Sequence, residues 1–96
     1  MGSEVFYHTS AGKTAREAFN NAKEEAFYDH GHSGYSGSIA EKNNYVIIEC
    51  PDGVSPAQYA DTLIDEADAR IDDKWGPAGC IKVKDGHYLF FGWASS

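Results

Sequence analysis

Apolar and polar residues alternate along the chain with two periods, and the switches between those periods mark out the elements. Glu4-Val5-Phe6-Tyr7-His8 is short and β-rich, so it predicts a strand. From Ala15 onward the period lengthens. Ala15, Ala18, Phe19, Ala22 and Ala26 fall at i, i+3, i+4, i+7 and i+11, which is one face of a helix. Thr14, with Glu17 three residues later, forms a capping box at its start, and Gly31 suits a left-handed cap at its end, so the helix is expected near 15–30. Ala-rich faces let a helix approach a sheet closely.

After the glycine-rich stretch 31–37, Ser38-Ile39-Ala40-Glu41 and Tyr45-Val46-Ile47-Ile48-Glu49-Cys50 flank Lys42-Asn43-Asn44 and read as a β-hairpin. Ser55 as N-cap and Pro56 at the first helical position then open a second helix. Ala60, Leu63, Ile64, Ala67 and Ile71 repeat the first helix's spacing, which predicts a helix over about 56–73. Cys80 to Lys84 and His87 to Phe91 flank Asp85-Gly86, a strong hairpin signal.

The expected order is β-α-β-β-α-β-β, an α+β fold with an antiparallel sheet and both helices on one face. The two halves read alike, because Gly34-x-x-Gly37-x-Ile39 and Gly76-x-x-Gly79-x-Ile81 each follow a helix. An αββ duplication within one domain, 1–96, is therefore expected, with pseudo-repeats at about 14–50 and 55–93. The plainer alternative is that any helix-to-hairpin connection needs glycines. Alternation in the last strand puts His87, Leu89, Phe91 and Trp93 on one face and Tyr88 and Phe90 on the other, so both faces are apolar. Either that strand is central and covered on both sides, or one face is an interface.

Charge narrows the functional classes. Eight basic residues against fifteen acidic ones give a formal charge of −7, which disfavours direct nucleic-acid binding and favours a basic partner. The uninterrupted apolar runs, such as Val46 to Ile48, are far too short for a membrane span, and the sequence carries no secretory signal pattern at Met1-Gly2-Ser3-Glu4. A cytoplasmic protein, monomeric or homodimeric, is the expectation. Cys50 and Cys80 are too few for a disulfide scaffold and read as buried, reduced thiols.

Each candidate site has a plain structural reading beside it. Gly31, Gly34 and Gly37 resemble a phosphate-cradling loop, but they leave a helix C-terminus, where the dipole repels anions, so a connector role is favoured. His30 and His32, with Asp29 beside them and His8 as a further candidate, have the chemistry of a zinc or nickel site, yet imidazoles near a helix C-terminus need no metal to be favourable. No cofactor or metal is expected. Loop 30–37, with His30, His32 and Tyr35, is the alternative site for ligand binding or catalysis, joined by His87; no nucleophile elbow, zinc helix or phosphate-binding loop sequence is present. The most informative feature is acidic: Asp61, Asp65, Asp68 and Asp72 recur at i, i+4, i+7 and i+11, with Glu66 and Asp73 beside them and only Arg70 opposing. On a continuous helix they form a carboxylate stripe about 16 Å long. Like charges one turn apart do not stabilise a helix, so the stripe is either a solvated face or a mimic of phosphate spacing that binds a basic surface.

The segments 31–42, Lys74 to Cys80 and Phe91 to Ser96 resemble those of small bacteriophage-borne and prophage-like proteins, a similarity running from about Ala15 onward. The resemblance implies a setting and transfers no functional residues. It suggests a small phage-type inhibitor, anti-CRISPR-like, that binds a basic surface of a host defence or nucleic-acid-handling complex in the host cytoplasm. The alternatives are a ligand-binding or catalytic module on loop 30–37, and a structural oligomerisation domain built on the aromatic strand.

Overall fold

A computed structural model describes residues 3–30 and 38–95. Its elements are β1 (Ser3–Ala11), α1 (Ala15–His30), a 3-10 turn (Ile39–Glu41), β2 (Tyr45–Ile47), α2 (Pro56–Asp65), β3 (Ala78–Lys84) and β4 (His87–Ser95). The Thr14 cap forms as read, with the Glu17 N–H donating to Thr14 Oγ1 at 3.1 Å, while Glu17 Oε1 accepts from the N–H of Lys13, one residue before the cap, at 3.4 Å. The Asp85-Gly86 hairpin also forms, with Gly86 at φ 78°.

The class is α+β, with a four-stranded sheet of order β1-β4-β3-β2. The sheet is mixed: β4 runs antiparallel to both β1 and β3, whereas β2 pairs parallel to β3, with Tyr45 opposite Ala78 and Ile47 opposite Cys80. The hairpin expected over 38–50 is absent. Ser38 Oγ instead accepts from the Ala40 N–H, which winds 39–41 into a 3-10 turn whose fully buried Ile39 plugs the core beneath α1. With no partner strand before it, β2 takes β3 as its neighbour, so the matching hairpins that the pseudo-repeats need do not exist.

The helices lie on opposite faces of the sheet, against the expectation of a shared face. Ala18, Phe19, Ala22 and Ala26 of α1 pack with Phe6, Ala78, Cys80, Phe90 and Ala94. On the other side Ala60, Leu63 and Ile64 of α2, with Ile71, pack with Ile48, Ile81, Leu89 and Phe91. The topology explains the split. The β1-α1-β2 connection crosses the sheet from one edge to the other, and β2-α2-β3 steps back. Two parallel crossovers of the same hand that travel in opposite directions must cover opposite faces. β4 is thereby central and covered on both sides, with Phe90 and Phe91 fully buried on alternate faces. Close approach is built in at Gly79, where a Cβ would lie 2.5 Å from Phe91 Cζ.

Candidate functional site

The acidic segment does not form one helical stripe. α2 ends at Asp65, because Glu66 caps it and Ala67 turns left-handed at φ 51°. The Ala67 N–H donates to Ile64 O at 3.1 Å and the Asp68 N–H to Leu63 O at 3.0 Å, the paired bonds of a Schellman stop. Reading 56–73 as continuous failed because the apolar spacing persists past the stop: Ile71 is still buried in the same cluster, but from an irregular segment. Asp61 and Asp65 therefore share a helix, while Asp68, Asp72 and Asp73 sit on the chain beyond it.

The six carboxylates divide by what holds them. Asp68 accepts from Arg70 Nε at 2.9 Å, from its Nη2 at 3.0 Å and from its backbone N–H at 3.0 Å. Those bonds hold the Asp68 carboxyl down at about 2 and occupy the segment's one base. Asp73 accepts from the Trp75 N–H at 2.8 Å and so shapes the next turn. Asp61 accepts from the Tyr7 hydroxyl at 2.6 Å, tying the outer side of α2 to β1. Burial first, then this bond and the negative charges of Asp61 and Asp65, push the Tyr7 hydroxyl up to about 12. Asp65, Glu66 and Asp72 face solvent.

Lys42, which the sequence places in a hairpin turn, is 1% exposed. Its ammonium donates to the carbonyls of Lys74, Gly76 and Asp73 at 3.1, 3.0 and 3.4 Å, pinning the loop that follows the acidic segment. Burial lowers its pKa, partly opposed by the charges of Asp73 and Glu41. Its polarity hid this role, since nothing in Ile39-Ala40-Glu41-Lys42 distinguishes this lysine from one in a solvated turn.

On the α1 face, His8 Nε2 lies 2.9 Å from Glu25 Oε1, and the buried Ser10 hydroxyl donates to the same oxygen at 3.2 Å. His8, Thr9, Glu24, Glu25 and Tyr28 line an open groove of about 600 Å³ between α1 and β1. The sequence reading missed Glu25 and Tyr28 because helical periodicity marks only the apolar face of α1. His32 and Tyr35 of the alternative loop site lie outside the described residues, and His30 is the last residue of α1. His87 begins β4, with Nδ1 3.3 Å from Asp85 O. Cys80 is buried and its thiol is pushed up to about 12 by that burial, whereas Cys50 is only half-buried and donates to Val54 O at 3.2 Å. Both are free thiols. Among the described residues no three His, Cys, Asp or Glu side chains are grouped as metal ligands, and no helix is long and apolar enough to cross a membrane. Compared with protein-family models, curated proteins and solved structures, the chain matches none.

Proposed function

We propose that this protein is a binding module that engages a basic surface of a partner protein, with the acidic residues of α2 and the segment after it as the recognition element. One observation carries the reading: over 61–73 the only base, Arg70, is consumed inside the segment by Asp68, so Asp61, Asp65, Glu66 and Asp72 present exposed negative charge with no cation beside them in the segment. Neither apolar packing nor helix propensity calls for those side chains. In the phage-type setting that the sequence resemblance suggests, the partner is a host defence or nucleic-acid-handling complex, and binding would inhibit it. The broken helix changes the form of the mimicry: the recognition element is a charged patch rather than a straight row at phosphate spacing.

The test is the triple substitution Asp61→Asn, Asp65→Asn, Asp72→Asn, which leaves the Asp68–Arg70 and Asp73–Trp75 contacts untouched. Partners captured by the wild-type protein from bacterial lysates are compared with those captured by the variant over a salt series. The expected result is capture that weakens with salt and is largely lost in the variant, since exposed charges are screened over about 8 Å at physiological ionic strength. Equal capture by both proteins at low salt would refute the assignment.

A further inference from the structure

β1 is an edge strand nine residues long, and its outer side has no neighbouring strand among the described residues. The register shows which groups it offers. Gly12 donates to Gly86 O, so in the antiparallel ladder Ser10, His8 and Phe6 bond to β4, and Val5, Tyr7 and Thr9 point their N–H and C=O outward. Ala11 shares this parity, and its outward carbonyl is taken by Asn21 Nδ2 at 2.9 Å. Natural edges are usually blunted by lysine, proline, bulges or shortness. Residues 3–11 contain neither lysine nor proline, and the β1–β4 register is unbroken.

Carboxylates flank this edge on both faces. On the α1 side Glu24 and Glu25 line the groove that opens at Thr9. On the α2 side Asp61 is drawn to β1 by the Tyr7 hydroxyl, with Asp65 one turn along. A strand added to the edge sends successive side chains to opposite faces. Adjacent basic residues would therefore meet Glu24/Glu25 on one side and Asp61/Asp65 on the other. From this we infer that β1 accepts an extended basic segment of the partner protein by strand addition, a mode in which backbone bonds supply affinity and alternate side chains supply specificity. The inference rests on the proposed reading of a basic partner and specifies how that partner docks. A second copy fits poorly: either strand direction for self-pairing sets acidic groups against acidic groups, between chains that each carry a formal charge of −7.

The probe is a fluorescent octapeptide, acetyl-Thr-Val-Arg-Lys-Lys-Arg-Val-Thr-amide, titrated by anisotropy into the wild-type protein at low salt. A second version carries N-methyl groups on every amide nitrogen of residues two to seven of the peptide, which keeps every charge and removes the backbone donors of both edges. Binding is expected for the parent peptide, weakened by about tenfold or more in the methylated version. Thr9→Pro removes an outward N–H without breaking the β4 ladder, and should lose the parent peptide while the protein still melts cooperatively. Equal affinity for the parent and the methylated peptide would overturn strand addition while leaving charge recognition intact. Failure of every peptide at low salt would overturn both. A wild-type dimer in sedimentation velocity that Thr9→Pro converts to monomer would assign the edge to a second copy, and this too would overturn the proposal.

Discussion

Replacing Ala67 with glycine distinguishes two structures of the acidic segment by the sign of its effect. In a helix continued through 73, position 67 is interior, and glycine there costs about 1 kcal/mol relative to alanine. In the structure Ala67 lies beyond the helix at φ 51°, in the left-handed position of a Schellman stop. That conformation costs a residue with a Cβ about 1–2 kcal/mol. Glycine adopts it freely but loses about 0.5–1 kcal/mol more backbone entropy on folding. The Ala67 side chain is exposed, so losing its methyl forfeits little packing. The net expectation is a gain of about 0.5–1 kcal/mol, or a rise in Tm of about 2–8 °C for a domain of this size. Urea unfolding followed by the fluorescence of Trp75 and Trp93 should show a higher midpoint at unchanged slope. A midpoint that falls would put position 67 inside a helix and restore the continuous carboxylate stripe.

Lys42→Met keeps the buried stem and deletes three bonds to carbonyls, so it should cost about 2–4 kcal/mol in the same urea assay, water recovering part of the loss. Because burial lowers the Lys42 pKa in the fold, the unfolded chain binds the extra proton just below the ordinary lysine value of 10.5; wild-type stability therefore gains from this residue as pH rises through that window, and Lys42→Met should remove the gain. Tyr7 works in the opposite direction: its hydroxyl rises from 10.0 to about 12 on folding, so its contribution is present below pH 10 and is lost as pH climbs to about 12. Tyr7→Phe should flatten that loss in alkaline melts while costing no more than about 1 kcal/mol at neutral pH, since the ring is half exposed. Gly79→Ala places a Cβ against the buried Phe91 ring and should destabilise by about 1–3 kcal/mol; an unchanged urea midpoint would show that the ring has room to move.

What the sequence disclosed follows from the range of the interactions involved. α1, the Asp-Gly hairpin and the start of α2 were legible because capping boxes, turn glycines and a proline at the first helical position act within a few residues. The end of α2 was not, because an alanine fills the left-handed position usually held by glycine and leaves no mark in the pattern. Tyr45 to Ile47 read correctly as a strand, yet its parallel pairing with β3 depends on a partner more than thirty residues away. The wrong helix face followed from that error, since a hairpin implies no crossover and therefore no constraint on which side the helix takes. The acidic residues were identifiable individually; which of them serve as turn-formers was not, because that depends on where Arg70 and the Trp75 N–H come to lie.

The bases explain why the acidic charge is expressed outward. Arg16 lies 5.0 Å from the Tyr45 ring centre, Lys23 5.8 Å from Phe19, and Lys74 5.4 Å from Trp75, so these cations sit over aromatic faces. Lys42 is turned inward onto carbonyls, and Arg70 is held by Asp68 two residues away. Lys82 meets Asp85 at 3.2 Å across the β3–β4 turn, away from α2. Cations committed to rings, loop carbonyls and local turns do not neutralise Asp61, Asp65, Glu66 or Asp72. Of these four, Asp61 is held by the Tyr7 hydroxyl, a neutral donor that leaves its charge uncompensated, and Asp65, Glu66 and Asp72 are exposed. Placing the bases elsewhere leaves a negative field along α2 and beside β1, which a basic segment from outside the chain is able to meet.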